Sequence, residues 1–120
     1  MNILIAEDDD MLQTLMEICM NILEWDYTIV VNGLQAVNTS KTNNFDAIIM
    51  DLRMPLLDGI EASKQIRVFN KMTPIIAVSC QADYQTKIEC AKAGINAFMA
   101  KPFTEDQIRD TVTKLVVVDS

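Results

Sequence analysis

The stretch NILIAEDDDM, residues 2–11, sets four apolar residues, Ile3 to Ala6, against four consecutive carboxylates, Glu7 to Asp10. A short run that is apolar at every position reads as a strand covered on both faces, as in a parallel sheet. Three more runs share the pattern: AIIM at 47–50, IIAV at 75–78 and AFMA at 97–100. A fifth, TIVV at 28–31, is less apolar overall and reads as an edge strand.

Helical patterns fill the gaps between these runs. They are expected over residues 10–23, 34–41, 58–69 and 83–93, the last stopped by Gly94. The clearest comes at the end of the chain, where Ile108, Thr111, Val112, Leu115 and Val116 recur at i, i+3, i+4, i+7, i+8. Thr104 with Gln107 predicts a capping box at its start, and Glu105 and Asp106 suit the positive end of the helix dipole. Strict alternation of strand and helix implies right-handed crossovers with helices on both faces of a parallel sheet. The expected fold is therefore α/β, a doubly wound (βα)5 domain, and residues 1–120 are expected to form one such domain.

Composition narrows the function. The net charge of -7 and the absence of histidine disfavour direct binding to nucleic acid or to an anionic membrane. The start, MNILIAED, has no basic n-region, and no apolar run approaches a membrane span. Three cysteines, Cys19, Cys80 and Cys90, fall at no metal-ligand spacing and read as free thiols, Cys19 and Cys90 facing a core. A cytoplasmic protein is expected.

In a doubly wound sheet, functional groups gather past the carboxyl ends of the strands. Those ends carry Glu7 and Asp8, Asp51, Ser79 and Lys101. Polar residues that merely mark where the chain leaves a core explain any one of these, but not the set. Carboxylates about 5 Å apart repel by roughly 3 kcal/mol per pair at an effective dielectric near 20, so a cation must join them. Hard oxygen ligands without histidine or paired thiolates suit Mg²⁺, and Lys101 relieves the remainder. Asp10 and Asp9 are ascribed to a helix N-terminus. A third carboxylate, Asp51, beside a metal is suited to attack phosphorus and form an aspartyl phosphate. Lys101, Ser79 and the metal would then share the phosphoryl oxygens.

The motifs AEDD after strand one, MDLRMPLLDG around Asp51, AVSC at the end of strand four and KPF at 101–103 resemble the receiver domains of two-component response regulators, in their order and spacing. The resemblance covers the whole chain and implies a flavodoxin-like, chemotaxis-regulator-like sheet of order 2-1-3-4-5. It implies Asp51 as phosphoacceptor, Asp8 as a direct Mg²⁺ ligand, Glu7 as a ligand through water, and the Arg53 backbone carbonyl as a further ligand. Ser79 and Lys101 would hold the phosphoryl group, with Ser79 and Phe98 as the switch pair. The donor would be a histidine kinase or histidine phosphotransfer domain. A downstream effector or second receiver would meet the surface of helix four, strand five and helix five. Pro55 and Gly59 fit the turn after the phosphoacceptor, and the Pro102 peptide bond is often cis in such domains. Two residues depart from the family pattern: Cys80 stands where a very small residue is usual, narrowing the approach to the site, and Arg53 is bulky and cationic at a position that bears on hydrolysis.

Other readings fit less well. A metal-dependent phosphatase that forms an aspartyl phosphate needs a general acid two residues past its nucleophile, where this chain has Arg53. A flavodoxin-like nucleotide binder needs a phosphate cradle after strand one, where Glu7 to Asp10 would repel it. A non-phosphorylated interaction module would not need the complete set of site residues. The chain is therefore expected to catalyse only its own phosphorylation and dephosphorylation, without turnover of a separate substrate.

Overall fold

The computed structural model describes residues 1–81 and 83–116. Strands β1 (Asn2–Ala6), β2 (Asp26–Val30), β3 (Ala47–Asp51), β4 (Ile75–Ser79) and β5 (Ala97–Ala100) alternate with helices α1 (Asp10–Leu23), α2 (Gly33–Thr42), α3 (Gly59–Phe69), α4 (Tyr84–Lys92) and α5 (Glu105–Leu115). All four strand pairings are parallel and the order is β2-β1-β3-β4-β5. Crossing from β1 to β3 reverses the direction of winding and leaves a crevice beyond the carboxyl ends of β1, β3 and β4.

Strand periodicity splits the core in two. Leu4, Ala6, Ile48, Met50, Ile75 and Ala77 face a layer that includes Ala36, Ala62, Ile66 and Cys90, from α2, α3 and α4. The alternate residues Ile3, Ile5, Ile49, Ile76 and Val78 face Met16, Cys19, Met20, Ile108 and Val112, from α1 and α5. Residues i and i+1 of a strand point to opposite faces, so a strand buried on both is apolar throughout. The edge strand β2 departs from this rule. It occupies 26–30 and not 28–31, because the Asp26 N–H donates to the Met1 carbonyl (2.8 Å) and pairing with β1 starts there. Asp26 and Thr28 are exposed on its outer side.

Each helix starts on a polar cap that satisfies an otherwise orphaned backbone N–H. Asp9, Asn32, Asp58 and Asp83 accept from the backbone N–H groups of Leu12, Gln35, Glu61 and Thr86. Thr104 and Gln107 form the reciprocal capping box expected at α5. Gly94 follows α4 with φ of +87°, and the Lys101–Pro102 peptide bond is cis. Among the described residues no helix is long and apolar enough to cross a membrane.

Gly59 decides how closely α3 approaches the end of β3. Its N–H donates to the Leu52 carbonyl at 3.0 Å, and a Cβ placed on it would lie 2.2 Å from the Asp51 carbonyl oxygen. Gly59→Ala is expected to destabilise the fold by about 2 kcal/mol, since the contact is with backbone and cannot be relieved by a rotamer change. A denaturation midpoint equal to that of the wild type would show that α3 shifts freely.

Candidate functional site

Five side chains named from the sequence meet in the crevice. Asp51 closes β3 and Ser79 closes β4, both nearly fully buried, at 5% and 4% exposure. Lys101 follows β5 and reaches back over the sheet edge, its Nζ 3.3 Å from Glu7 Oε1 and 3.4 Å from Asp51 Oδ2. Glu7 is buried too, while Asp8 is exposed. Glu7, Asp8 and Asp51 each bring a carboxylate oxygen within 4.8 Å of the others.

Backbone groups hold the carboxylates in place. Glu7 Oε2 accepts from the Asp9 N–H at 3.2 Å, and the Glu7 carbonyl accepts from Gln13 Nε2 at 2.6 Å. Asp51 Oδ1 accepts from the Arg53 N–H at 3.2 Å. With one donor at Oδ1 and the ammonium at Oδ2, neither Asp51 oxygen is saturated, so lone pairs remain for chemistry. Asp9 is the cap of α1 and Asp10 its first helical residue. Two of the four carboxylates of the run therefore serve the helix end, and the other two serve the crevice.

Electrostatics record the crowding. Burial, with Asp51 alongside, pushes the Glu7 carboxyl up from its ordinary value of 4.5 to about 7. Burial would lower the Lys101 pKa, but Asp51 and Glu7 outweigh it and hold that pKa above its ordinary value, so the ammonium is kept. Hard carboxylate oxygens, no histidine or thiolate among them, and an excess of negative charge that one ammonium leaves uncompensated suit a divalent cation such as Mg²⁺.

A cleft of about 360 Å³ opens over these groups, lined by Asp51, Arg53, Ser79, Cys80, Gln81 and Lys101. Cys80 is exposed in its wall, as its position after β4 implied, whereas Cys19 and Cys90 are buried. Phe98 is not part of the lining. It lies half-buried on β5, packed against the α2–α4 side of the core, with Lys87 Nζ 5.7 Å from its ring centroid.

Two features of the surroundings escaped the sequence reading. Gln81 joins the cleft, its N–H donating to Ser79 Oγ at 3.0 Å and its side chain accepting from Arg53 Nη2. On α1, Met11, Leu15, Ile18 and Ile22 are all exposed, forming a stripe at spacings of four, three and four residues. That spacing was visible in the sequence. A loop glutamine carries no comparable signal.

The acidic crevice, with a buried carboxylate, a hydroxyl and an ammonium, thus lies at the switch point of a 2-1-3-4-5 sheet. A family model for the response regulator receiver domain matches residues 3–113, and the chain belongs to that family. It is thus a receiver domain of two-component systems, a signalling module. The receiver domain of the sensor histidine kinase PA1611 from Pseudomonas aeruginosa PAO1, solved with a magnesium ion in its active-site cleft, is similar at 34% identity and a TM-score of 0.90, over 96% of each chain. The receiver domain of Ssk1 from Saccharomyces cerevisiae, solved with the histidine phosphotransfer protein Ypd1, is similar at 28% identity and a TM-score of 0.90, over 99% of this chain and 93% of that one. The transcription factor SKN7 of Candida albicans is 32% identical over 116 residues, 94% of this chain. This chain spans only about a fifth of that relative's length.

Proposed function

We propose that this receiver accepts a phosphoryl group on Asp51 from a phosphohistidine and changes the affinity of its α4-β5-α5 surface for a partner in response. The observation that carries the reading is the placement of Lys101 Nζ between Glu7 and Asp51, at 3.3 and 3.4 Å. It sets a buried carboxylate nucleophile beside both an ammonium and a cation-binding carboxylate set. In the transfer, an Asp51 oxygen forms a bond to phosphorus as the nitrogen–phosphorus bond of the donor breaks, and the freed imidazole takes a proton. Lys101 meets one phosphoryl oxygen, and the Ser79 hydroxyl donates to another. Glu7, Asp8, Asp51 and the Arg53 backbone carbonyl would hold Mg²⁺, which supplies charge compensation for the phosphoryl oxygens when bound. The chemical test is a phosphoryl group on the Asp51 carboxylate, acid-stable but labile to base and hydroxylamine. A label that survives hydroxylamine would place it elsewhere.

The signal would leave the site through Ser79 and Phe98. Drawing the hydroxyl toward a phosphoryl oxygen vacates space beside β5, into which the Phe98 ring turns. One or two charge-assisted hydrogen bonds, at roughly 1.5 to 3 kcal/mol each, suffice to shift such a two-state equilibrium. The chain processes no separate substrate in this reading. Its unpaired cysteines fit a reducing, cytoplasmic setting.

Because the chain has no histidine, the phosphohistidine belongs to a kinase or phosphotransfer partner, and that partner must reach a buried carboxylate. The exposed stripe of Met11, Leu15, Ile18 and Ile22 starts beside the acidic end of β1 and offers a seam for a helical surface. Ile18→Glu is expected to slow transfer from a phosphorylated histidine phosphotransfer domain by about tenfold or more, while labelling by acetyl phosphate is unaffected. Equal slowing of both donors would remove the docking role.

A further inference from the structure

Charge is segregated along this chain. Residues 1–40 contain no lysine or arginine, and no acidic residue lies between Asp26 and Asp46 or between Glu61 and Asp83. Helix α1 falls in the first of these stretches, α2 in the second, and all but the first turn of α3 in the third. The α2–α3 side therefore gathers Lys41, Lys64, Arg67 and Lys71 on a chain of net charge -7. Arg67 is engaged, its Nε donating to the Gly94 carbonyl at 2.9 Å and its Nη1 to the Asn70 carbonyl at 3.0 Å. Lys64 pairs with Glu61 at 3.7 Å. Lys41 and Lys71 are exposed and make no ion pair among the described residues.

An open groove of about 420 Å³ runs between the two helices, lined by Val37, Lys41, Gln65, Val68 and Phe69. Lys41 Nζ stands 5.6 Å from the Phe69 ring centroid. Val68 and Met72 are 80% and 88% exposed, and Phe69 is exposed beside them. A cation in the last turn of a helix complements the dipole, which accounts for Lys41 and Arg67. It does not account for three neighbouring apolar side chains left in water. Helix α1 carries the opposite combination. Its exposed stripe of Met11, Leu15, Ile18 and Ile22 shares the outer surface of the helix with Asp10 and Glu17, which make no ion pair among the described residues.

We propose that the α2–α3 groove receives α1 of a second copy of this chain. The apolar stripe of α1 would cover Val68 and Phe69, and its carboxylates would meet the unpaired ammonium groups of Lys41 and Lys71. Helix α1 packs with α5 on one face of the sheet, whereas α2 and α3 pack on the other. Two copies cannot exchange both contacts at once, so the contact is heterologous and repeats from copy to copy, head to tail. One helix seated in a shallow groove is an interface at the small, transient end of the range. The same stripe is the one proposed to receive the phosphodonor, so a copy whose α1 is seated in a neighbour's groove must be released before a protein donor can dock on it.

Sedimentation equilibrium of the full chain, without phosphodonor, over a wide range of concentration up to about 1 mM tests this contact. The average mass is expected to rise with concentration and to pass that of a dimer. Ile18→Glu spoils α1 and keeps the groove; Val68→Glu spoils the groove and keeps α1. Both positions are exposed, so each variant should melt near the wild-type temperature, and each alone should stay monomeric. Mixed in equal amounts, the two should form a dimer and nothing larger, because one intact groove and one intact α1 remain. The double variant Lys41→Glu/Lys71→Glu should associate about tenfold more weakly than the wild type. A wild-type chain that is monomeric throughout would overturn the proposal. So would a mass that levels off at the dimer, which marks a two-fold contact, or a mixture of the two variants that stays monomeric.

Discussion

Asp51→Asn is expected to abolish phosphoryl uptake from acetyl phosphate in the presence of Mg²⁺, leaving no hydroxylamine-labile label in an intact-mass measurement. The amide has nearly the volume of the carboxylate, so the buried end of β3 stays filled, but its oxygen is a poor nucleophile toward phosphorus. Folding should not suffer. Asp51 adds to the pressure that raises the Glu7 pKa, so removing its charge relieves repulsion, and thermal stability without metal should match or exceed that of the wild type. This pairing of lost chemistry with kept stability separates a nucleophile from a structural acid. Labelling of Asp51→Asn to the wild-type extent would place the phosphoacceptor elsewhere.

The fold was legible because a sheet buried on both faces leaves a mark that needs no partner to interpret. Ile3–Ala6, Ala47–Met50, Ile75–Val78 and Ala97–Ala100 are apolar without a break, and each lies within a strand. The site was legible because a polar residue at the end of such a run is delivered to the same edge as its counterparts. What could not be read depends on tertiary neighbours. Whether Asp9 or Asp10 caps α1 turns on a one-residue difference in where the helix begins. The start of β2 at Asp26 is set by the Met1 carbonyl, which no local pattern announces. Helix α1 carries apolar residues around most of its circumference. Cys19 was expected to face a core and does, but periodicity alone did not separate its core neighbours Met16 and Met20 from the exposed stripe of Met11, Leu15, Ile18 and Ile22. The contact between Arg53 and Gln81 joins residues 28 positions apart through loop geometry alone.

Mg²⁺ affinity is expected to fall by about tenfold or more in Asp8→Asn, and to depend on pH in the wild type through Glu7. Asp8 is the exposed member of the carboxylate set and approaches Glu7 and Asp51 to within 4.8 Å, so its charge is the most available to an incoming cation. The sign of the pH effect follows from Glu7. Its folded-state pKa, about 7, lies above its ordinary 4.5. Without metal, the proton therefore favours the folded state: this contribution to stability is full below pH 4.5 and is lost as pH rises through 7. A cation placed in the cluster competes with that proton. Apparent Mg²⁺ affinity should be roughly tenfold weaker at pH 6 than at pH 8, where Glu7 is already ionised. Saturating Mg²⁺ should then raise the melting temperature more at pH 8 than at pH 6, because stabilisation by mass action scales with occupancy. Glu7→Gln removes the titrating group, and in that variant the affinity should be lower and nearly flat between pH 6 and 8. Calorimetric titration of the three proteins at both pH values reads each term. An unchanged slope in Glu7→Gln would assign the proton to another group, whereas unchanged affinity in Asp8→Asn would remove Asp8 from the ligand set.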